Sequence, residues 1–232
     1  LSRVIGHLQR NGWLHNCYKT EELESVERGI ISHSEMTYQN IRVNRDDCPS
    51  LDFDDLDTDA WYHEYVDYAM ENGLMNGTGT YIFSPYSTLT RAQVITVLWR
   101  QENEPKADHE INFNDVTEGQ WFTEPVRWAV SEEIMEGYGG AFGPNDPITW
   151  EQLAAILYRY ALYKGYDVSV KGDPASFTDG SEISGWAYEL MQWASGAGIF
   201  DGVGSGPIKP TGNTMRCEFA SAITMFIEEV AK

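Results

Sequence analysis

An all-helical fold of three tandem helix-turn-helix repeats is predicted for this chain by three features of its sequence. The first is a motif that opens an apolar helix, Leu89-Thr90-Arg91-Ala92-Gln93 after Phe83-Ser84-Pro85. It returns as Ile148-Thr149-Trp150-Glu151-Gln152 after Phe142-Gly143-Pro144, and, degraded, as Thr214-Met215-Arg216-Cys217-Glu218-Phe219 after Ile208-Lys209-Pro210. The second is a set of anchors recurring in fixed order ahead of each motif: Phe53, Phe113 and Phe177, each two residues before an Asp, then Trp61, Trp121 and Trp186, then Gly77, Gly137 and Gly202. The third is helical spacing of apolar residues on both sides of each glycine. Self-similarity at this density marks a repeat architecture, and a unit too small to bury its own apolar stripe must pack against its copies.

Taken in order, residues 1–50 do not resemble the rest. Short helices are expected at 4–14 and 21–31, followed by polar sequence ending at Pro49-Ser50, read as a linker or the tail of an upstream domain. The repeats then occupy 51–108, 109–173 and 174–232. In the first helix of the first repeat, Tyr62, Val66, Ala69 and Met70 share a face. Pro125 falls in the first turn of its helix, where a missing N–H does no harm. The second helices are expected at about 91–100, 151–163 and 218–231, each introduced by a Thr or its replacement as N-cap, with Gln or Glu three residues on.

Capping accounts for Thr90 and Gln93 but not for Arg91. A cation at the first helical position sits at the positive end of the helix dipole. Arg91 and Arg216 beside exposed N–H groups are therefore candidate anion-binding residues, with an ordinary surface ion pair as the alternative. Their place at helix starts, away from the apolar faces, predicts that removing them leaves stability nearly unchanged.

The net charge of −20 is uneven: residues 1–50 hold 6 Lys/Arg and 7 Asp/Glu, the remainder 10 and 29. Such a surface repels nucleic acid and anionic membrane, and no apolar run approaches the roughly 18 residues of a membrane span. An anionic ligand must then be held by locally placed cations. The chain opens at Leu1 with no leader pattern, as a fragment or mature portion would, with room for a parent-protein domain N-terminal to it. Cys17, Cys48 and Cys217 lack metal or redox spacing; Cys17 and Cys48 pair or stay free, and Cys217, where the first repeat has Ala92, reads as a packed residue. No cofactor or metal is called for. The acidic run 52–59 allows a calcium loop, but the glycine and terminal carboxylate of an EF-hand are missing, and helix capping explains it better. No nucleophile elbow, zinc pair or phosphate-cradling loop is present, so the chain reads as non-catalytic.

The ordered anchors, from Phe-x-Asp and Trp through Gly and Phe-x-Pro to Thr-Arg-Ala-Gln, resemble the S-layer homology domain over residues 51–232. The resemblance implies a pseudo-threefold all-α module that anchors an exported protein at the bacterial cell wall by binding an anionic, often pyruvylated, secondary cell-wall polysaccharide. On that reading, Arg91 and Arg216 with Thr90 and Gln93, and the turn amides around Gly77, Gly137 and Gly202, form the ligand site. Arg91 is favoured, because its Thr90 cap and Gln93 are intact. The second copy replaces Arg by Trp150, for which packing is preferred over sugar stacking. Trp61, Trp121 and Trp186 are either sugar platforms or core, with core preferred at a helix start. The competing readings are a structural or protein-interaction scaffold with decayed sugar sites, and an enzyme that uses residues 1–50.

Overall fold

The computed structural model describes residues 53–203 and 207–231. The expected helices at 4–14 and 21–31 and the Cys17–Cys48 question lie outside them. The described residues contain six α-helices: α1 (His63–Glu71), α2 (Arg91–Gln101), α3 (Thr123–Ser131), α4 (Trp150–Lys164), α5 (Tyr188–Gly196) and α6 (Arg216–Glu229). No strand forms among them, and none of these helices is long and apolar enough to cross a membrane.

The second helices begin where the motif says. Thr90 and Thr149 are extended, and each closes a full capping box with Gln93 or Gln152. Met215 is equally extended but has no oxygen to offer; there only Glu218 reaches back, to the Met215 N–H at 2.7 Å. Helices α4 and α6 therefore start at Trp150 and Arg216, one and two residues before the expected 151 and 218. The shorter first helices follow Tyr62, Phe122 and Ala187, none of which provides a side-chain cap, so their stability comes from burying one face.

That face is buried against a neighbouring repeat. Helix α2 packs on α3, α4 on α5, and α6 on α1. Every pair joins the second helix of one repeat to the first helix of the next, and the α6–α1 pair closes the three repeats into a ring. Val66 and Ala69 of α1, Val126 and Trp128 of α3, and Met191 and Trp193 of α5 are buried in one core with Leu98, Leu157 and Phe226 of the second helices.

A cycle of backbone hydrogen bonds marks the pseudo-threefold axis. The Leu89 N–H donates to the Thr214 carbonyl (2.8 Å), Thr214 to Ile148 (2.8 Å) and Ile148 to Leu89 (3.1 Å). These are the equivalent residues just before each motif helix, and all three are fully buried. In the third repeat the motif's Thr stands one position early, so its hydroxyl lies on the axis, where it has no hydrogen-bond partner among the described residues, instead of at the N-cap. A buried orphan hydroxyl costs about 1–3 kcal/mol. Thr214→Val keeps the shape and removes that cost, so it should raise stability by about 1 kcal/mol in urea unfolding; a loss of stability would show that the hydroxyl is satisfied.

Candidate functional site

The helix starts are not open anion sites. A helix begins with four backbone N–H groups lacking intrahelical partners. In α2 all four are satisfied: Thr90 N–H by Gln93 Oε1, Gln93 N–H by Thr90 Oγ1, and the Arg91 and Ala92 N–H groups by the Asp146 and Pro144 carbonyls of the second repeat. The pattern repeats for Trp150 and Glu151, which donate to Gly212 and Pro210, and for Arg216 and Cys217, which donate to Ser87 and Pro85. The Phe-x-Pro segment of one repeat thus caps the motif helix of the preceding one. The expected cluster of exposed amides beside each Arg is corrected by this interlock.

Nor do the arginines lie on the surface. Arg91 is 8% exposed and Arg216 5%. Arg91 sends Nε to the Phe142 carbonyl (2.9 Å) and Nη2 to the Glu136 carbonyl (2.6 Å). Arg216 sends Nε to Phe83 (3.0 Å) and Nη2 to Asn76 (2.7 Å). Each guanidinium also lies over the following repeat's Phe, 4.9 Å from the Phe142 centroid and 4.6 Å from that of Phe83. Burial lowers both pKa values, that of Arg216 to about 10, while Asp146 and Asp115 oppose the shift at Arg91 and Asp55 opposes it at Arg216; both remain cations at neutral pH. The helix-start Arg therefore holds the glycine turn of the next repeat. At the second position Trp150, 3% exposed, does this by packing edge-on against Phe200, so the packing reading holds there. Cys217 is buried and its thiol is pushed up to about 12 by burial, as befits an inert packed residue.

The anchors of each repeat converge on the same turn, with one aspartate whose role the sequence left unassigned. Both oxygens of Asp55 accept backbone N–H groups, from Phe83 (2.8 Å) and Ser84 (2.7 Å). Asp115 does the same for Phe142 and Gly143, and Asp179 for Ile208 and Lys209. The aspartate of Phe-x-Asp thus clamps the Phe-x-Pro segment. In the acidic run, Asp55 is engaged in this clamp and Asp57 accepts the Asp59 N–H; among the described residues no group of three or more His, Cys, Asp or Glu is placed to hold a metal. The glycines are set by close approach: a Cβ on Gly77 would lie 2.4 Å from Phe53 Cε1, and one on Gly137 2.3 Å from Phe113 Cε1. Gly202 instead abuts Ser221 of α6, 1.8 Å from a notional Cβ.

A cleft of about 280 Å³ opens beside the first turn. Its walls include Asn76, Gly77 and Thr78 of the turn, Gln93 and Arg100 of α2, Arg216 of the third repeat and Trp121 of the second. All three repeats contribute, and among the described residues no carboxylate lines it. Arg216 Nη1 has no protein partner among the described residues. Trp121 is 59% exposed, and its equivalents Trp61 and Trp186 are 48% and 58% exposed. The expectation of a core role for the three tryptophans is corrected: the core side chain is the next residue, Tyr62, Phe122 or Ala187.

The motif is therefore split between clefts. Gln93 lines the first cleft with Arg216, whereas Arg91, two positions earlier and on another side of α2, faces the second repeat's turn. Thr90 stays with capping. Around the second turn the corresponding positions are Arg91, Gly137, Tyr138, Gln152, Arg159 and Trp186, but the residue matching Asn76 is Glu136, and the Tyr138 ring lies 5.3 Å from the Arg91 guanidinium. Around the third turn they are Trp150, Gly202, Glu218, Met225 and Trp61, with Asp201 matching Asn76 and no arginine.

The S-layer homology domain model matches residues 52–95, 112–154 and 176–220. The chain is 29% identical over 181 residues, 78% of its length, to the exoglucanase XynX of Acetivibrio thermocellus, of which the match covers 16%. It is 29% identical over 185 residues, again 78% of its length, to an S-layer protein of Bacillus thuringiensis subsp. finitimus, covering 22% of that protein. It is 30% identical over 153 residues, 66% of its length, to the S-layer protein sap of Bacillus anthracis, covering 18%. The chain thus spans less than a quarter of each of these relatives. Three family matches coincide with the three sequence repeats that build the ring, and the chain belongs to the S-layer homology domain family of cell-surface anchoring modules.

Proposed function

We propose that this chain is the non-catalytic anchor of a larger exported protein, and that it grips an anionic secondary cell-wall polysaccharide in the cleft between Arg216, Arg100 and Trp121. The observation that carries this reading is the charge of the cleft. In a chain of net charge −20, a pocket whose described lining holds two arginines and no carboxylate is the local exception an anionic ligand requires. Arg216 Nη1 and the Arg100 guanidinium offer charge-assisted hydrogen bonds to a sugar carboxylate, such as that of a pyruvyl ketal. Gln93 and Thr78 supply neutral donors and acceptors, and the exposed Trp121 face suits a pyranose ring. The first cleft is favoured over the second, where the position of Asn76 carries the carboxylate of Glu136 and the Tyr138 ring lies against Arg91. The third has lost both arginines, so decay of a sugar site describes that position only.

Arg100 and Trp121 test this better than Arg216, because neither holds the ring closed. Arg100→Ala and Trp121→Ala should each weaken retention on bacterial sacculi by roughly tenfold, about 1.4 kcal/mol, with little change in the urea midpoint for Trp121→Ala and a loss of about 1 kcal/mol for Arg100→Ala, which also gives up the long bond from Arg100 Nη1 to the Leu74 carbonyl (3.3 Å). Trp61→Ala should bind normally. Extraction of the secondary polymer from the sacculi should abolish retention of the wild-type chain. Equal retention on extracted and unextracted sacculi, or wild-type binding by both cleft variants, would overturn the assignment.

A further inference from the structure

The first repeat contains two Asn-Gly pairs among the described residues, Asn72-Gly73 and Asn76-Gly77. Their surroundings differ. The Asn72 amide donates to the Tyr68 carbonyl (2.9 Å) and the Gly73 N–H to the Met70 carbonyl (2.9 Å), so both groups needed for cyclisation are engaged at the end of α1. Asn76 is exposed, and neither its side-chain amide nor the Gly77 N–H has a partner among the described residues. The peptide group joining Asn76 to Gly77 also accepts a hydrogen bond from Arg216, Nη2 to the Asn76 oxygen at 2.7 Å. A cation at that oxygen stabilises the peptide with its nitrogen deprotonated, which is the nucleophile of deamidation. Glycine adds no Cβ to obstruct that nitrogen.

We propose that Asn76 is a site of spontaneous deamidation, activated by Arg216, that places a carboxylate in a cleft whose described lining otherwise holds none. The Gly77 nitrogen, having given its proton to solvent base, attacks Asn76 Cγ. The new N–Cγ bond forms as the Cγ–Nδ2 bond breaks, and the nitrogen leaves as ammonia after taking up a proton. The resulting succinimide is opened by one water at either carbonyl, giving aspartate or isoaspartate with no redox change. The second and third repeats already carry a carboxylate at this position, Glu136 and Asp201, so the reaction gives the first turn the acidic group that its two counterparts have. Its effect on binding rests on the function proposed above. The change is one-way, and it weakens the grip of the cleft on an anionic polymer as the protein ages.

Two separate readouts test this. The full chain is held in mildly alkaline buffer and mapped by proteolysis and mass spectrometry, with isoaspartate assayed in each peptide. The form carrying Asn76 should gain about one dalton well before any change appears at Asn72; equal or slower change at Asn76 overturns the proposed site. Retention of Asn76→Asp and Asn76→Gln on bacterial sacculi is then compared. The Asp variant should bind roughly tenfold more weakly than the Gln variant, which changes the same cleft residue without adding a charge. Wild-type retention of Asn76→Asp while Arg100→Ala fails would overturn the charge switch and leave the anchoring cleft standing. Wild-type retention of both would overturn the cleft assignment, with the mapping result unaffected.

Discussion

A chain truncated after residue 173 is expected to show no cooperative unfolding transition, and to be unfolded or aggregated. Removing the third repeat takes away α6, on which α1 packs, and with it Phe219, Ile223 and Phe226 from the shared core. Tyr65, Val66 and Ala69 of α1 lose their partner surface. Large apolar side chains are each worth about 1.5–3 kcal/mol of burial, so exposing a few matches the whole of a typical domain's margin of about 5–15 kcal/mol. The truncation also opens the axial cycle at Thr214 and removes the Arg216 bonds to Phe83 and Asn76. Circular dichroism and urea titration of residues 51–173 provide the measurement. A sharp melt would mean that two repeats suffice and that ring closure contributes little.

Arg91→Ala and Arg216→Ala are each expected to destabilise the fold by about 3 kcal/mol, contrary to what a helix-start position suggests. Each substitution deprives two carbonyls of a charged donor and removes a guanidinium from a Phe face. The corresponding Lys variants should recover only part of the loss, because an ammonium on a flexible stem does not reproduce the planar fork that spans two acceptors. Urea midpoints measure both effects, and a change below about 1 kcal/mol in either Ala variant would return the arginines to a purely ligand-binding role. Binding lost by these variants would therefore need correction for the folded fraction, a correction that is small for Arg100→Ala and not required for Trp121→Ala.

The sequence carried the repeat number, the motif helices to within two residues and the capping boxes at Thr90 and Thr149, because each is encoded within a few residues. Thr90 and Gln93 cap one another across a single turn, so their pairing is legible locally. The destination of Arg91 was not, since its acceptors lie 45 and 51 residues away on the next repeat. The Asp55 clamp was hidden for the same reason, its partners being 28 and 29 residues on. Two misreadings had a signal available. The stripe Tyr62, Val66, Ala69 passes through position 62, which leaves Trp61 about 100° off it and outward-facing. Likewise, Arg91 and Gln93 are two apart on a helix and point to different sides, so one cleft does not receive both.

The pairing of α6 with α1 is the same kind of contact as α2 with α3 and α4 with α5, one surface of a repeat meeting a different surface of its neighbour. In assemblies of separate subunits this is a heterologous, head-to-tail interface, which ends in a closed ring only when the rotation per step divides a full turn. Here three steps complete the turn inside one polypeptide. A chain released at the α6–α1 contact would expose two complementary surfaces, and a second chain in the same state presents the matching pair. Copies opened in this way would exchange helices end to end, so the contact that closes the monomer is also the one through which it would domain-swap.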